Sequence, residues 1–189
     1  MRTTTRRDGI FDAVDRLIGT GGIQAVSMRA VAAEAGVSLR LVQYYGKDKN
    51  TLLTASLQRL SDRSIRRWRE QRSRDASLRS VIGGYFAATL PVDDETRAFH
   101  RISVSMEHMA VTGTEPAASA YRAHLAATGA EFTAACLDAV PELGEETAGS
   151  IVNTAMALGH GLGSLLMAGR VTEESARATV AAMVADLPD

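Results

Sequence analysis

Apolar residues recur along this chain at helical spacing, and no segment alternates strictly over more than a few residues, which confines it to an all-α fold. Ile10, Phe11, Val14, Leu17 and Ile18 mark one face of a first helix, with Thr5 and Asp8 spaced as its N-terminal cap. Gly21 and Gly22 stop it. Ser27 caps a second segment whose buried side is Met28, Val31, Ala32 and Ala35, and Gly36 supplies a residue without a Cβ for a sharp turn. Ser38 caps a short third helix that runs through Tyr45 and ends at Gly46. Asp48 then opens a long fourth helix with Leu53, Leu57, Leu60 and Trp68 on its apolar side.

Past residue 74 the helices become longer and more apolar. The pattern predicts them over 76–90, 94–112, 117–139, 145–168 and 172–187. Breaks fall at Pro91-Val92-Asp93-Asp94, at Gly113-Thr114-Glu115-Pro116 and at Pro141-Glu142-Leu143-Gly144, with Gly169 before the last helix. A single cysteine, Cys136, excludes an intramolecular disulfide framework and an all-cysteine zinc site. MRTTTRRDGI has no apolar signal core behind it, and no window approaches ~18 uncharged apolar residues. A reduced, cytoplasmic, soluble protein with no membrane partner is the expectation.

The net charge of −1 conceals an asymmetry. Residues 1–74 hold 15 Lys+Arg against 7 Asp+Glu, and residues 75–189 hold 6 against 15. A basic N-terminal part with apolar residues among its arginines points to a polyanion, and so to nucleic acid.

The segment Ser27-Met28-Arg29-Ala30-Val31-Ala32-Ala33-Glu34-Ala35-Gly36-Val37-Ser38 has the requirements of a helix-turn-helix. Ala35 is small enough for the next helix to cross closely, Gly36 makes the turn, and Val37 plugs the angle. The following helix can then present side chains to the major groove, which is wide enough to admit it. Together with Leu41-Val42-Gln43-Tyr44-Tyr45-Gly46-Lys47-Asp48-Lys49-Asn50-Thr51-Leu52-Leu53, this segment resembles the TetR-type transcriptional repressors over about residues 6–55.

That resemblance implies a three-helix DNA-binding domain over 1–50, a connecting fourth helix over 51–74, and a helical effector-binding and dimerisation domain over 75–189. It implies that Ser38, Leu39, Arg40, Gln43 and Tyr44 face DNA, while Ser27, Arg29, Tyr45 and Lys49 meet phosphates. Lys47 and Lys49, the chain's two lysines, both sit beside this helix. Chemistry agrees independently: arginine pairs with guanine and glutamine with adenine. Two positions depart from the family. Gly46 stands where a packing phenylalanine is usual, so that either Tyr44 or Tyr45 turns inward to fill the space. Gln43 stands where a phosphate-binding tyrosine is common, which leaves it either a base reader or a backbone contact.

Arg2, Arg6 and Arg7 form an arm that either reaches DNA or is a solvated tail. Arg59, Arg63, Arg66 and Arg67 share one face of the fourth helix, and ion pairs with the acidic second domain are favoured over a second DNA surface.

For the acidic remainder, the resemblance implies an inverted-repeat operator read by a homodimer joined through the last two helices, and a cavity for a small hydrophobic or amphipathic effector. The helix over 145–168 is apolar on two faces, through Ile151, Ala155, Leu158, Leu162 and Leu165 and through Val152, Met156, Gly163 and Met167, so it must be buried on both. Gly159, Gly161 and Gly163 mark either a close helix approach or local irregularity. Phe99, Ile102, Met106, Met109, Tyr121, Phe132 and Met156 are candidate pocket residues, with His124 or His108 as polar anchor; ordinary core is the competing reading for each apolar one.

A ligand-released repressor of double-stranded DNA is the leading function, with no cofactor and no metal. A constitutive or protein-controlled DNA-binding regulator is the alternative. An all-α carboxylate metalloenzyme would need inward Glu-x-x-His pairs, and none is present, nor is HExxH, GxSxG or a Walker sequence.

Overall fold

The computed structural model describes residues 5–72, 77–113, 115 and 117–188, which form nine α-helices and no strand among the described residues. The helices are α1 (Arg6–Ala25), α2 (Met28–Ala35), α3 (Leu39–Tyr45), α4 (Lys49–Arg72), α5 (Leu78–Thr89), α6 (Asp94–Val111), α7 (Ala117–Ala139), α8 (Glu145–Met167) and α9 (Glu173–Ala185). Arg2, Thr114, Pro116 and the expected domain boundary at 74–75 lie outside the described residues.

Local chemistry sets most helix starts. Thr5 and Asp8 form a reciprocal capping box, and the Ser27, Ser38, Ser77 and Thr172 hydroxyls each accept from an amide three residues on. Asp48 does the same for α4, accepting from the Thr51 amide at 2.7 Å. Gly22, with φ 66°, breaks α1, but helical turns resume beyond it to Ala25 rather than ending at the glycine pair.

Packing divides the chain differently from the expected division by role. One compact unit comprises residues through Ser61 together with Arg97–Ala123, and the other comprises Asp62–Thr96 together with the chain from His124 onward. The boundary thus falls inside α4, α6 and α7.

In the first unit α1, α2 and α3 close around Ile10, Val14, Ile18, Val31 and Val42, and Leu52, Leu53, Leu57 and Leu60 of α4 complete the wall. Ile102 and Met106 of α6 and Tyr121 of α7 belong to the same core. A polar seam runs beside it. The Arg59 guanidinium donates to the Asp12 carboxylate and lies 5.5 Å from the centroid of the Phe11 ring, and the Ser56 hydroxyl donates to Asp15. Arg101 of α6 donates to the Gly19 carbonyl of α1 at 2.6 Å.

The second unit has its own core of Trp68, Val81, Ile82, Phe86, Phe132, Ala135, Cys136, Val152, Ala155 and Leu162. Here α5 packs on α8 and α9. Gly159 is what lets α8 approach: a Cβ there would lie 3.2 Å from the Tyr85 ring. Gly161, by contrast, meets nothing within 4 Å. Arg79 closes the end of α9 by donating to the carbonyls of Val184, Ala185 and Leu187 at 3.0–3.1 Å. Arg67 binds Asp93 and Glu95 at 3.0 and 2.6 Å, and Arg63 lies 3.9 Å from Glu95, as favoured for that face of α4. Arg59 departs from that expectation, because its acid partner comes from α1.

Candidate nucleic-acid interface

Two glycines shape α3 for opposite reasons. Gly36 ends α2 with φ 64°, in the left-handed region, and a Cβ there would touch nothing; only its dihedral demands glycine. The turn is closed by the Val37 amide donating to the Ala32 carbonyl at 3.0 Å. Gly46 ends α3 with φ −141°, which any residue adopts, but a Cβ there would lie 2.1 Å from Leu52 Cδ2. Leu52 of α4 therefore fills the space next to Gly46. Tyr45 is half-buried against the same core, whereas Tyr44 is 76% exposed and stands edge-on to Tyr45 with ring centroids 5.0 Å apart. Of the two tyrosines, Tyr45 is the one that packs inward.

The other expected contacts fall into two groups. Ser27, Arg29, Ser38, Arg40, Gln43 and Lys47 are exposed; Leu39, with Tyr45, is half-buried on the core, and Lys49 is half-exposed at the start of α4. Ser27 and Ser38 spend a lone pair on capping, accepting from Ala30 and Leu41 at 3.1 and 3.3 Å, and each hydroxyl keeps its own proton to donate. Arg29, Arg40 and Gln43 make no hydrogen bond or ion pair among the described residues. Elsewhere Arg16, Arg59, Arg67, Arg69, Arg79, Arg101, Arg122 and Arg177 all hold an acid or a backbone carbonyl. Asp48 stays ionised beside this surface, held below its ordinary 3.8 by hydrogen bonds from Thr51.

The candidate pocket residues divide between two cores. Ile102, Met106 and Tyr121 are buried in the first unit, with Phe99 and Met109 half-buried against them. Burial, with the Glu107 charge, pushes the Tyr121 hydroxyl up to about 12, so it remains a proton donor. Phe132 and Met156 belong to the second unit. Phe132 stacks on Tyr85 at 4.6 Å and meets Trp68 edge-on at 5.2 Å. Sequence reasoning misses Tyr85: nothing local marks it out, and its partners Phe132 and Gly159 lie far along the chain.

Hydroxyls give a further contrast. Thr20, Thr89, Ser105, Thr112, Thr154 and Thr179 each donate to the carbonyl four residues back. Thr54, Ser103 and Thr128 are helical too, yet their hydroxyl oxygens are buried with no partner among the described residues. Thr128 lies between His124 and Phe132 at four-residue spacing on α7.

Burial pushes the His124 imidazole below its ordinary 6.5, against the opposing pull of the Asp62 charge. The folded chain therefore keeps this ring neutral where an unfolded chain takes up a proton. Its contribution is complete above the unfolded value of 6.5 and is lost as pH falls through the depressed folded value. The melting temperature should decline as pH drops from about 6.5 towards 5, and His124→Gln should flatten that decline. An equally steep decline in the variant, followed by calorimetry, would contradict this.

The geometry defines a class, a helix-turn-helix protein with an exposed, uncommitted basic face, and known proteins resemble it as follows. Residues 10–55 match the profile of the family described as Bacterial regulatory proteins, tetR family. An HTH-type transcriptional regulator of the dhlA 5′ region in Xanthobacter autotrophicus is 30% identical over 105 residues, 52% of each chain. A TetR-family transcriptional regulator structure from a Rhodococcus species superposes with TM-score 0.74 at 26% identity, covering 95% of this chain and 96% of that one. The fold is also shared with a transcriptional regulator from Saccharomonospora viridis solved in complex with choline, with TM-score 0.81, 17% identity and 95% of both chains covered. The chain spans about half the length of the curated relatives it matches. Over residues 10–55 the chain thus carries the N-terminal segment characteristic of that family, and beyond it the likeness to these regulators is one of fold. No helix among the described residues is long and apolar enough to cross a membrane.

Proposed function

We propose that this chain is a cytoplasmic, homodimeric repressor that binds an inverted-repeat operator in double-stranded DNA and is released by a small hydrophobic or amphipathic effector. The observation that carries the DNA half is the pair of uncommitted guanidinium groups, Arg29 and Arg40, on an exposed helix-turn-helix face. A side chain without an internal partner gives up little to bind phosphate or a base edge. In this reading residues 1–50 bind DNA, 51–74 connect, and 75–189 bind the effector and dimerise, with no catalysis and no cofactor.

Dimerisation is assigned to α8 and α9. Ala157, Gly161 and Leu165 are exposed on α8, Leu165 by 42%, and Ala178, Ala181, Ala182 and Ala185 are exposed on α9. Such small and apolar faces suit close packing against a second copy, and protein two-fold symmetry would be mirrored in the operator. For the effector, the partnerless Thr128 hydroxyl and the neutral His124 are the polar groups best placed to meet a ligand among Phe132 and Met156. The choline bound by the Saccharomonospora viridis protein is an example of an amphipathic ligand on this fold. Release requires the effector to bind less tightly to the DNA-bound form, since coupling is reciprocal.

Sedimentation of the operator complex should give two chains per inverted repeat, and adding choline or a chemically diverse effector set should lower operator affinity for at least one compound. Tight binding of a compound that leaves operator affinity unchanged would favour the constitutive alternative. Arg29→Ala should weaken binding about equally on all sequences and reduce the slope of log affinity against log salt by about one. An unchanged slope in a salt titration would remove Arg29 from the phosphate contacts.

A further inference from the structure

The azimuths of α3 sharpen the DNA reading into a statement about bases. A helix turns by about 100° per residue. On that wheel Arg40 lies about 160° from Val42, the residue of α3 that is fully buried. Gln43 flanks Arg40 by about 60° on one side and Tyr44 by about 40° on the other. Leu39, Leu41 and Tyr45 fall on the remaining arc and are half-buried. Because Leu52 occupies the space at Gly46 and Tyr45 is drawn to the core, the outward arc of α3 is reduced to three side chains with Arg40 at its centre.

A guanidinium at the centre of that arc faces the floor of the groove, where guanine offers two acceptors in line with its fork. Phosphates line the groove's rims, which suits the residues at the motif's periphery: Ser27 and Arg29 at the start of α2 and Lys49 at the start of α4. The Gln43 amide carries both a donor and an acceptor, a pair that matches adenine and that a phosphate, which only accepts, would leave half used. Its three-residue offset from Arg40 is a rise of about 4.5 Å, compared with about 3.4 Å between successive base pairs.

We infer that each operator half-site carries a guanine read by Arg40 and, within two base pairs of it, an adenine read by Gln43. This rests on the DNA-binding reading above and specifies what that surface recognises.

The test is selection of randomised duplex DNA on the full chain, on Arg40→Ala and on Gln43→Ala; both residues are exposed and without internal partners, so folding is not at stake. The wild-type chain should enrich half-sites with this guanine and adenine. Arg40→Ala should lose the guanine preference and Gln43→Ala the adenine preference, each by about five- to 150-fold, with the other position retained. Half-sites lacking the guanine, or an Arg40→Ala chain weakened equally on every sequence, would overturn the inference while leaving operator binding intact. An adenine preference untouched by Gln43→Ala would overturn the Gln43 assignment. Failure of the wild-type chain to enrich any sequence would instead defeat the underlying DNA-binding reading.

Discussion

Truncation of Phe132 to alanine is expected to cost about 3–5 kcal/mol of stability. The ring is wholly buried, stacked on Tyr85 at 4.6 Å and edge-on to Trp68 at 5.2 Å. Its removal forfeits the transfer energy of a large apolar side chain and leaves a cavity between rings that cannot collapse easily. Trp68 is tied to α5 by its indole N–H donating to the Val81 carbonyl at 2.9 Å, and Tyr85 is backed by α8 at Gly159. Two aromatic pairs also vanish, each worth about 0.5–1.5 kcal/mol beyond area. For a chain of this size the melting temperature should fall by roughly 6–20 °C. Phe132→Leu, which keeps most of the volume, should lose less than half as much. A drop below 1 kcal/mol for the alanine variant, measured by denaturant titration, would contradict the central place given to this ring.

Gly46→Ala is the second large effect, and an unusual one, since alanine ordinarily stabilises relative to glycine wherever φ is negative. Here the added Cβ would sit 2.1 Å from Cδ2 and 2.6 Å from Cγ of Leu52. Leu52 is fully buried, so relief requires moving α4, α3 or both. Overpacking of this kind costs about 1–3 kcal/mol. Operator affinity should fall as well, because the end of α3 is what shifts. Leu52→Ala makes room for the new methyl group, so the double variant should be less destabilised than the sum of the two single ones. Strict additivity in that cycle, or a Gly46→Ala chain as stable as the parent, would mean that Leu52 does not lock α3.

Much of the helical plan was legible because it is written in local chemistry. Thr5, Ser27, Ser38, Asp48 and Thr172 cap helices by reaching an amide three residues away, and that spacing is visible in one dimension. The turn at Gly36 is likewise local. What was not legible depends on partners far along the chain. Nothing near Arg59 in sequence indicates that Asp12, 47 residues earlier, will hold it. Arg101 and Gly19 are 82 residues apart, and both look unremarkable alone. The hole at Gly46 is visible in the sequence and points to the neighbouring tyrosines as its filler, but Leu52 fills it from the next helix. The seven apolar pocket candidates share hydrophobicity rather than location, and periodicity cannot tell that five of them fall in one core and two in another.

Sequence-specific recognition by paired reading heads is tested by affinity selection of genomic fragments on the full chain at two salt concentrations. A short inverted repeat should be enriched at both salts, with the half-sites in fixed register. Uniform binding of all fragments that collapses at the higher salt would mean phosphate attraction alone, and would contradict it.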